Sequence, residues 1–507
     1  MKMIKSLLLG SAAGLVAMSG AQAADLPLKA KAVEYVRVCS LYGAGFYYIP
    51  GTDTCIKLSG YLRVDVLANT NADDTGNTSG TAGAQNRLSA GYTWRSREDF
   101  DIDTRTATEY GVVRTFFDAT FSWTTGGYAG VGTTAYDGNN PAGTGSGQVA
   151  GGALGMYYAF IQFAGFTMGK AISQFSAPFV NYPGNIYDGL VGGGGTVTGV
   201  NQLSYTAQFG NGVSATISAQ EQTAYYQAGV NNITPVGLGG PGGLFGTSDY
   251  AGTIVPDIVG VLKVDQAWGS AQLSAAAHDN HAAYYGATEL TGHPDDRWGF
   301  AVQGALSLKT PMTGPGDVLN IQGVYKDGAT RYNIQDLAAS AGANTIYSGT
   351  GLAGAYQSVG LGFAPDTVFA AGTQQQLVQT WGMRGGFTHN WDPYWNSSIY
   401  GAWAAVSYND TAKALICATP GFGFAVAAGA GITSCNPDYN IGQIGFITRW
   451  TPVKNLTFAA DVTFTHLDQK MVGTVNAASI SIAKPSAVYE LKDQNTVLLM
   501  LRAQRNW

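Results

Sequence analysis

The most constraining feature of this chain is the alternation of very short and very long connections between strand-like segments. From about residue 57 to residue 507, pairs of segments with alternating hydrophobicity are joined by tight turns, such as Ala164-Gly165, Gly210-Asn211-Gly212 and Trp268-Gly269. The connections between pairs run to tens of residues and are rich in Gly, Ser, Asn and Asp. A water-soluble sheet has no reason to keep all its long loops at one end, whereas an outer-membrane barrel has short periplasmic turns and long extracellular loops. The pattern therefore predicts an all-β, transmembrane, antiparallel β-barrel.

Sixteen strands can be placed on this pattern, and an even number suits a single-chain bacterial barrel. They are predicted near 57–69, 86–103, 108–123, 154–163, 166–172, 200–209, 213–222, 254–267, 269–279, 297–309, 317–326, 376–390, 395–408, 438–450, 455–466 and 494–507. In the strand near 297–309, Trp298 and Phe300 share one face, while Arg297 and Gln303 share the other. Sixteen strands leave an aqueous lumen, whereas about eight would be filled by side chains.

Strand periodicity alone does not separate this barrel from a soluble β-sandwich, because both alternate polar and apolar side chains. The first 23 residues help to decide, since a basic start, an apolar run from Leu7 to Met18 and the small residues Ala21 and Ala23 are typical of a cleaved secretory signal. Removal of its two lysines would change the formal charge from −6 to −8, which argues against a nucleic-acid partner. No later segment offers about 18 consecutive apolar residues, so no membrane-spanning helix is expected.

Four cysteines fall in two local pairs in a chain that carries an export signal. Cys39 lies near Cys55, and Cys417 lies near Cys435. An oxidising compartment favours disulfides, and sequential pairing is the one we expect among the three possible connectivities. A metal site at these positions is disfavoured, because no histidine lies near either pair.

Tryptophans gather at the predicted short-turn rim. They are Trp268, Trp391, Trp395 and Trp450. Rings with one polar edge prefer the headgroup region of a bilayer, so these residues are expected to form the periplasmic aromatic girdle. The alternative is that they are buried tryptophans capping a soluble core. The last predicted strand ends on Trp507, and Arg505 interrupts its apolar face.

Four stretches resemble the alphaproteobacterial general porins. The longest is Val38 to Ile56 (VCSLYGAGFYYIPGTDTCI), and the others are Gly60 to Arg63, Arg105 to Phe117, and Leu501 to Trp507 (LRAQRNW). In that family the final residue is commonly Phe, so Trp507 is a departure that keeps the aromatic end. The likeness is strong at both ends and covers most strands loosely. It does not fix the long loops, least of all 327–375.

The resemblance implies an outer-membrane porin that forms a homotrimer of sixteen-stranded pores. It also implies that the third long loop, about 173–199, folds into each barrel as a constriction. Such a protein contacts outer-membrane lipid and lipopolysaccharide, and Trp507 would be the C-terminal assembly signal for the barrel-assembly machinery during biogenesis. The chain then divides into a signal peptide (1–23), a periplasmic segment leading into the barrel (24–56) and the barrel itself (57–507).

Charged residues on the inward face of the first three strands are the candidates for the pore constriction. They are Arg63, Arg95, Arg97, Arg114 and Asp118, opposed by Asp188, the only formal charge of the third long loop. Opposed charges across a narrow wet gap order water and filter ions by sign. Alternatively, the arginines pair locally with acids of the same strands, namely Asp65, Asp99, Asp101 and Asp118, and only satisfy the wall. Because the charges nearly balance, weak selectivity of undetermined sign is expected.

Other functions have weaker support in the sequence. The run Gly192 to Gly195 lacks the Lys-Ser/Thr signature of a phosphate-binding loop. His278, His281 and His293 gather in one predicted outer loop without the spacing of a metal or catalytic site. A barrel hydrolase and a secreted all-β adhesin are the alternatives. The expected function is passive diffusion of small hydrophilic solutes, with no catalysis, cofactor or metal.

Overall fold

The computed structural model describes residues 37–69, 92–125, 153–180, 190–194, 199–221, 226–234, 249–334, 345–347, 358–362, 364–418, 431–477 and 487–507. The predicted signal peptide and Asp188 lie outside these described residues. The chain divides into two compact units, residues 1–56 and 57–507. In the first unit, the Cys39–Cys55 disulfide brackets a 3-10 helix, Ser40–Tyr42, and a short strand, Tyr47–Tyr48. That short strand pairs with Cys55 and Ile56.

Sixteen antiparallel strands form a closed barrel, so the predicted fold class and strand number are confirmed. The strands are β1 (Thr54–Asn69), β2 (Tyr92–Thr108), β3 (Gly111–Thr125), β4 (Ala153–Phe163), β5 (Phe166–Ala171), β6 (Val200–Gly210), β7 (Val213–Gln220), β8 (Asp257–Gln266), β9 (Gly269–Asn280), β10 (Arg297–Lys309), β11 (Val318–Asp327), β12 (Gln376–Asn390), β13 (Trp395–Tyr408), β14 (Tyr439–Val453), β15 (Leu456–Gln469) and β16 (Gln494–Asn506). Each strand pairs with its neighbours in the chain. Pairing of β16 with β1, in which Tyr61 lies opposite Asn506, closes the barrel.

The connections at one rim are short, as the sequence predicts. Two-residue turns join β2 to β3, β4 to β5, β6 to β7, β8 to β9 and β14 to β15. Both residues of Ala164-Gly165 and of Asn211-Gly212 have positive φ, the conformation that matches the twist of the flanking strands. A Cβ on Gly212 would lie 1.8 Å from the carbonyl oxygen of Asp265, so only glycine fits there.

Large apolar side chains cover the outside of the barrel, and polar ones alternate with them on the inside. On β10, Trp298 and Phe300 are exposed, whereas Gln303 is buried. On β15, Phe464 is exposed, whereas Asp461 is fully buried. A soluble sandwich would bury the apolar face instead. This arrangement therefore suits a barrel whose outer surface meets lipid.

The turn between β2 and β3 was predicted too early in the chain. The prediction ended one strand at 103 and began the next at 108, which is wrong. The observed ladder continues to Thr108, opposite Gly111, and the turn is Glu109-Tyr110. The predicted gap between the two strands, 104–107, contains Arg105, which belongs to β2.

The described parts of the long loops contain further short elements. These are the 3-10 helices Glu289–Thr291 and Thr330–Tyr332, the helix α1 (Asp410–Ala418), and the strands Val230–Asn232 and Thr367–Phe369, which pair in parallel. A second sheet joins Thr345–Tyr347, Ser358–Gly362, Gly431–Ser434, Val472–Ala477 and Ala487–Leu491. No helix among the described residues is long and apolar enough to span a bilayer.

Candidate pore wall and constriction

The inward-facing side chains of β1, β2 and β3 form a wall of charges, which we call the charged wall. Its members are Arg63, Asp65, Arg95, Arg97, Asp99, Asp101, Asp103, Arg105, Arg114 and Asp118. The arginines are partly exposed even though the outer faces of the same strands carry exposed apolar residues such as Leu62 and Phe121. The arginines of this wall are therefore accessible from the barrel interior, whereas Asp65, Asp99, Asp103 and Asp118 are buried.

Arg114 is held by a network at the short-turn end of the charged wall. Its Nη2 lies 2.9 Å from Oδ2 of Asp103, and its Nη1 donates to Oε1 of Gln162 at 3.0 Å. Arg105 donates to the same Asp103 carboxylate from 2.9 Å. Two guanidinium groups share one carboxylate, so this part of the wall carries an excess of positive charge. The guanidinium of Arg114 also lies 5.1 Å from the ring centre of Phe116, which fixes its direction.

Arg63 lies beside the seam where β16 meets β1. Its Nε donates to Oε1 of Gln504 at 2.8 Å, and its guanidinium lies 4.3 Å from the ring centre of Tyr61. Asp65 pairs instead with Arg502, with 2.7 Å between Oδ1 and Nε. Asp65 and Asp99 attract Arg63 electrostatically, as the local-pairing alternative expects, whereas the ion-pair partner of Arg114 is Asp103, which that alternative did not include.

Arg95, Arg97 and Asp118 lie further from the short-turn rim. Nε of Arg97 donates to Oγ of Ser122 at 2.9 Å, and its guanidinium lies 5.7 Å from the ring centre of Tyr157. Arg95 faces inward and is partly exposed. Asp118 is buried and groups with two further carboxylates, Asp99 and Asp101. The five arginine and aspartate candidates among the described residues thus share one side of the barrel interior.

The described part of the third long loop lies against the opposite inner face. Gln272 Nε2 donates to the carbonyl oxygens of Gln174, Phe175 and Ser176 at 3.0–3.3 Å. Gln322 Nε2 donates to the carbonyl oxygen of Gly192 at 3.1 Å. Side chains of the barrel thus satisfy backbone groups of this loop that would otherwise be buried without partners.

We call the inward-facing residues that hold this loop the covered wall. They are Gln272 of β9, Gln303 of β10, Gln322 of β11, Arg384 of β12 and Gln443 of β14. Arg384 Nη2 donates to the carbonyl oxygen of Gly194 at 3.1 Å, and Gln443 Oε1 accepts from the amide of Val191 at 2.9 Å. All five side chains are buried. Inward-facing arginines on β1 to β3 are thus partly exposed, whereas these five inward-facing polar residues are buried.

Apolar side chains fill the space between the long loops and strands β12 to β16. Leu190 and Val191 from the third long loop belong to one buried cluster with Ile233 and Val368 from later loops and with strand residues such as Ile441. These apolar side chains therefore occupy this part of the barrel interior.

A second buried group joins the long loops to β8 and β9. His278 Nδ1 lies 2.8 Å from Oδ1 of Asp257, and the hydroxyl of Tyr332 donates to Oδ2 of Asp257 at 2.5 Å. Asp366 accepts from the amide of Ala228 at 2.7 Å. The prediction that His278 belongs to an outer loop is wrong, because it lies in β9 and is fully buried. Burial removes it from contact with any substrate.

The four predicted girdle tryptophans lie at the short-turn rim and are exposed. The rings of Trp395 and Trp450 stack 5.7 Å apart on neighbouring strands. Trp391 Nε1 donates to Oγ of Ser397 at 3.1 Å. Trp268 occupies the turn between β8 and β9. This ring of amphipathic side chains suits the boundary between lipid and water.

The remaining predicted positions are the chain end and the cysteines. The amide of Trp507 donates to the carbonyl oxygen of Gly60 at 3.1 Å, so the last residue extends the closing pair of strands. The structure contains the Cys39–Cys55 and Cys417–Cys435 disulfides. The second disulfide links the end of α1 to the segment after the strand Gly431–Ser434, within the loop between β13 and β14.

Sequence reasoning missed Arg105, Asp103 and the covered wall. A correct reading of the alternation from Ile102 to Thr108 would have found the first two, because Asp103 and Arg105 keep the inward parity of Asp101. The covered wall carries no such signal, since an inward glutamine has the same pattern whether water or a loop lies over it.

Comparison with known proteins agrees with this architecture. A family model described as "Porin subfamily" matches residues 25–500. The chain is 35% identical over 331 residues to Porin Omp2b of Brucella abortus (strain 2308), with 64% of this chain and 75% of that protein aligned, and the identity and coverage are the same for Porin Omp2b of Brucella melitensis biotype 1. The solved outer membrane channel DcaP of Acinetobacter baumannii is similar in fold, with a TM-score of 0.56 and 15% sequence identity over 91% of this chain and 99% of that chain.

Proposed function

Because this chain belongs to the porin subfamily, we propose that the space beside the charged wall is its conducting path. The protein is a channel of the bacterial outer membrane for passive diffusion of small hydrophilic solutes and ions. The observation that carries the proposed path is the arrangement inside one closed barrel, whose apolar residues face outward while five partly exposed arginines gather on the inner face of β1 to β3. A water-filled route needs hydrated side chains, and the charged wall supplies them.

Planar-bilayer recording of the purified, folded protein tests this path. Stepwise, ohmic and long-lived openings are expected. A thiol-reactive cation should reduce the conductance of an Arg97→Cys variant, whereas the outward-facing Leu203→Cys variant should not respond. Equal responses of the two variants would contradict the proposed path, and absence of conductance from folded protein would contradict the channel itself.

The constriction proposed here comprises the third long loop, about 173–199, facing Arg63, Arg95, Arg97, Arg114 and Asp118. Hydrogen bonds from the covered wall to both described parts of the loop support this assignment. Replacing Arg63 by Ala should shift the reversal potential in a salt gradient toward cations, and Asp188→Asn should shift it toward anions. Unchanged reversal potentials in both variants would mean that these side chains only line the wall.

The assembly and partners belong to the same proposal. Membership of the porin subfamily supports a homotrimer in contact with outer-membrane lipid and lipopolysaccharide, inserted by the barrel-assembly machinery with Trp507 as its recognition signal. Chemical cross-linking of the detergent-extracted protein should give a three-chain species. A one-chain species alone would contradict the trimer.

The domain division also stays a proposal. We assign 1–23 to a cleaved signal peptide, 24–56 to a periplasmic segment and 57–507 to the barrel. N-terminal sequencing of the outer-membrane protein should begin at Ala24. The family and the names of the relatives point to a channel rather than an enzyme, and the complete burial of His278 supports the absence of hydrolase activity. A lipid or peptide cleavage assay checks this.

A further inference from the structure

Three carboxylates of the charged wall face one another across the β2–β3 hairpin. Asp99 and Asp101 lie two residues apart on one face of β2, and Asp118 of β3 is the direct cross-strand partner of Asp101. One oxygen from each lies within 4.8 Å of the others. Like charges placed directly opposite each other destabilise a strand pair. The fold therefore places three carboxylates close together, although the repulsion between them is unfavourable.

One carboxylate oxygen in this cluster has no partner. Asp118 is only 7% exposed, and its Oδ1 is buried without a hydrogen-bond donor. A buried polar atom of this kind costs stability unless a ligand satisfies it. The register between β3 and β4 shifts between Asp118 and Ala119. Such a bulge re-aims the neighbouring side chains.

The surroundings provide a further oxygen and several basic groups. The hydroxyl of Ser59 on β1 donates to Oδ2 of Asp101 at 3.3 Å, so its oxygen borders the cluster. Arg63 and Arg97 attract Asp99, Lys57 attracts Asp101, and Lys170 attracts Asp118, while Nε of Arg97 donates to Ser122. The cluster therefore consists of hard oxygen donors, which is the ligand set of calcium and magnesium rather than of softer metals.

We propose that Asp99, Asp101 and Asp118 bind one calcium ion on the charged wall. Calcium is the better fit of the two hard cations, because it accepts irregular coordination by carboxylates from different strands, whereas magnesium demands near-ideal octahedral geometry. One oxygen from each of the three carboxylates lies close enough to the others to share one ion. The ion would satisfy Oδ1 of Asp118 and offset the repulsion between the carboxylates.

A bound calcium ion would also change the pore. It would reduce the formal charge of the three-carboxylate cluster from −3 to −1, beside Arg97 and the Arg105–Asp103–Arg114 network. This consequence rests on the proposed conducting path, whereas the binding itself rests only on the carboxylate geometry. Calcium should therefore shift the reversal potential of the channel toward anions.

Isothermal titration calorimetry of the EDTA-treated, folded protein in detergent tests the binding. One calcium site per chain is expected, with a Kd of about 10⁻⁴–10⁻³ M as in extracellular calcium modules, and magnesium should bind more weakly. Asp118→Asn and Asp101→Asn should each weaken this site at least about tenfold, because each removes a charged ligand. The control Asp265→Asn, an exposed carboxylate at the short-turn rim paired with Lys263, should retain it.

Folding and channel current are measured beside calcium binding, so that loss of the fold, absence of the site and absence of conduction can be told apart. Heat-modifiable gel migration reports whether each variant is folded, and only folded variants are compared. Equal calcium affinity in wild type, D118N and D101N would overturn the site, as would absence of calcium binding, which would leave protons to neutralise the cluster. If D118N-sensitive binding is found in a protein that conducts no current, the calcium site stands and the proposed function fails.

Discussion

The charged wall and the covered wall have the same secondary structure and the same inward parity, yet they differ in what lies over them. On β2 and β3, the side chains of Arg105 and Arg114 keep 29% and 28% of their surface accessible. On β11 and β12, Gln322 and Arg384 are only 1% and 2% exposed. The difference comes from the long loops, whose described segments pack against β9 to β14 and, at Leu67, against the end of β1.

This contrast shows that inward-facing polar residues can have two different roles. On the charged wall the arginines are partly exposed, so under the proposed function they set the field that a solute crosses. On the covered wall the side chains satisfy the backbone of the described loop segments, so under the same proposal they set the size of the opening. A substitution on the covered wall should therefore act first on stability, and a substitution on the charged wall should act first on selectivity.

Of the substitutions considered, Asp366→Ala should cause the largest loss of stability in the region where the long loops pack inside the barrel. Asp366 is fully buried and accepts from the amides of Ala228 and Thr330 and from Gln227 Nε2, and it lies 3.4 Å from His278 Nε2. Removing it leaves several buried donors without an acceptor, which should lower the free energy of unfolding by about 3–5 kcal/mol. Urea unfolding in detergent measures this loss. The exposed control Asp53→Ala should change it by less than about 0.5 kcal/mol, and equal losses in both variants would contradict the contrast.

Arg384→Ala should have a smaller effect on stability and a direct effect on the pore. The side chain donates to the carbonyl oxygens of Gly193 and Gly194, and the variant would free that part of the third long loop from β12. Loss of these charge-assisted bonds should cost about 1.5–3 kcal/mol. Single-channel conductance should rise because the loop can leave the wall.

The matched variant for this position is Arg384→Lys. It keeps the positive charge but loses the planar fork that reaches two carbonyl groups. An intermediate conductance is expected for it. If R384A conducts like wild type, the covered wall does not set the opening.

The two walls also differ in how far they could be predicted. Alternation and turn chemistry were sufficient for the sixteen strands, because each barrel strand repeats the same two-faced pattern and the Asn211-Gly212 turn has a conformation that few other dipeptides adopt. The arginines of the charged wall followed from parity alone. Arg105 was missed because it fell in the turn that was predicted at 104–107. The burial of Gln303 could not be predicted, since it depends on contact with Phe175, a residue in a loop without periodicity.

Arg114→Ala should test the charged wall with little effect on stability. Asp103 keeps Arg105 as a partner after the substitution, so the free energy of unfolding should change by no more than about 1 kcal/mol. The reversal potential should shift toward cations, more strongly at low salt, because screening acts over roughly 8 Å at physiological ionic strength. Arg505→Ala removes the same charge from the outer surface of β16 and should leave the reversal potential unchanged. Equal shifts in the two variants would mean that total charge, not the wall, sets selectivity.

The smallest expected effect concerns Asp249, which lies in the long loop between β7 and β8. Its amide donates to the carbonyl oxygen of Val230, and Oδ2 is buried without a hydrogen-bond partner. Burial raises the pKa of Asp249 to about 6, although a backbone hydrogen bond from Asn232 opposes the shift. The folded chain thus holds this proton to a higher pH than the unfolded chain, whose carboxyl has a pKa of roughly 3.9. The contribution is favourable below that value and is lost as pH rises toward 6. Asp249→Asn should therefore raise the Tm at pH 8 more than at pH 4, as measured by heat-modifiable gel migration. The exposed control Asp53→Asn should show no such pH dependence, and an equal Tm change at both pH values in D249N would show that the Asp249 carboxyl is solvated rather than buried.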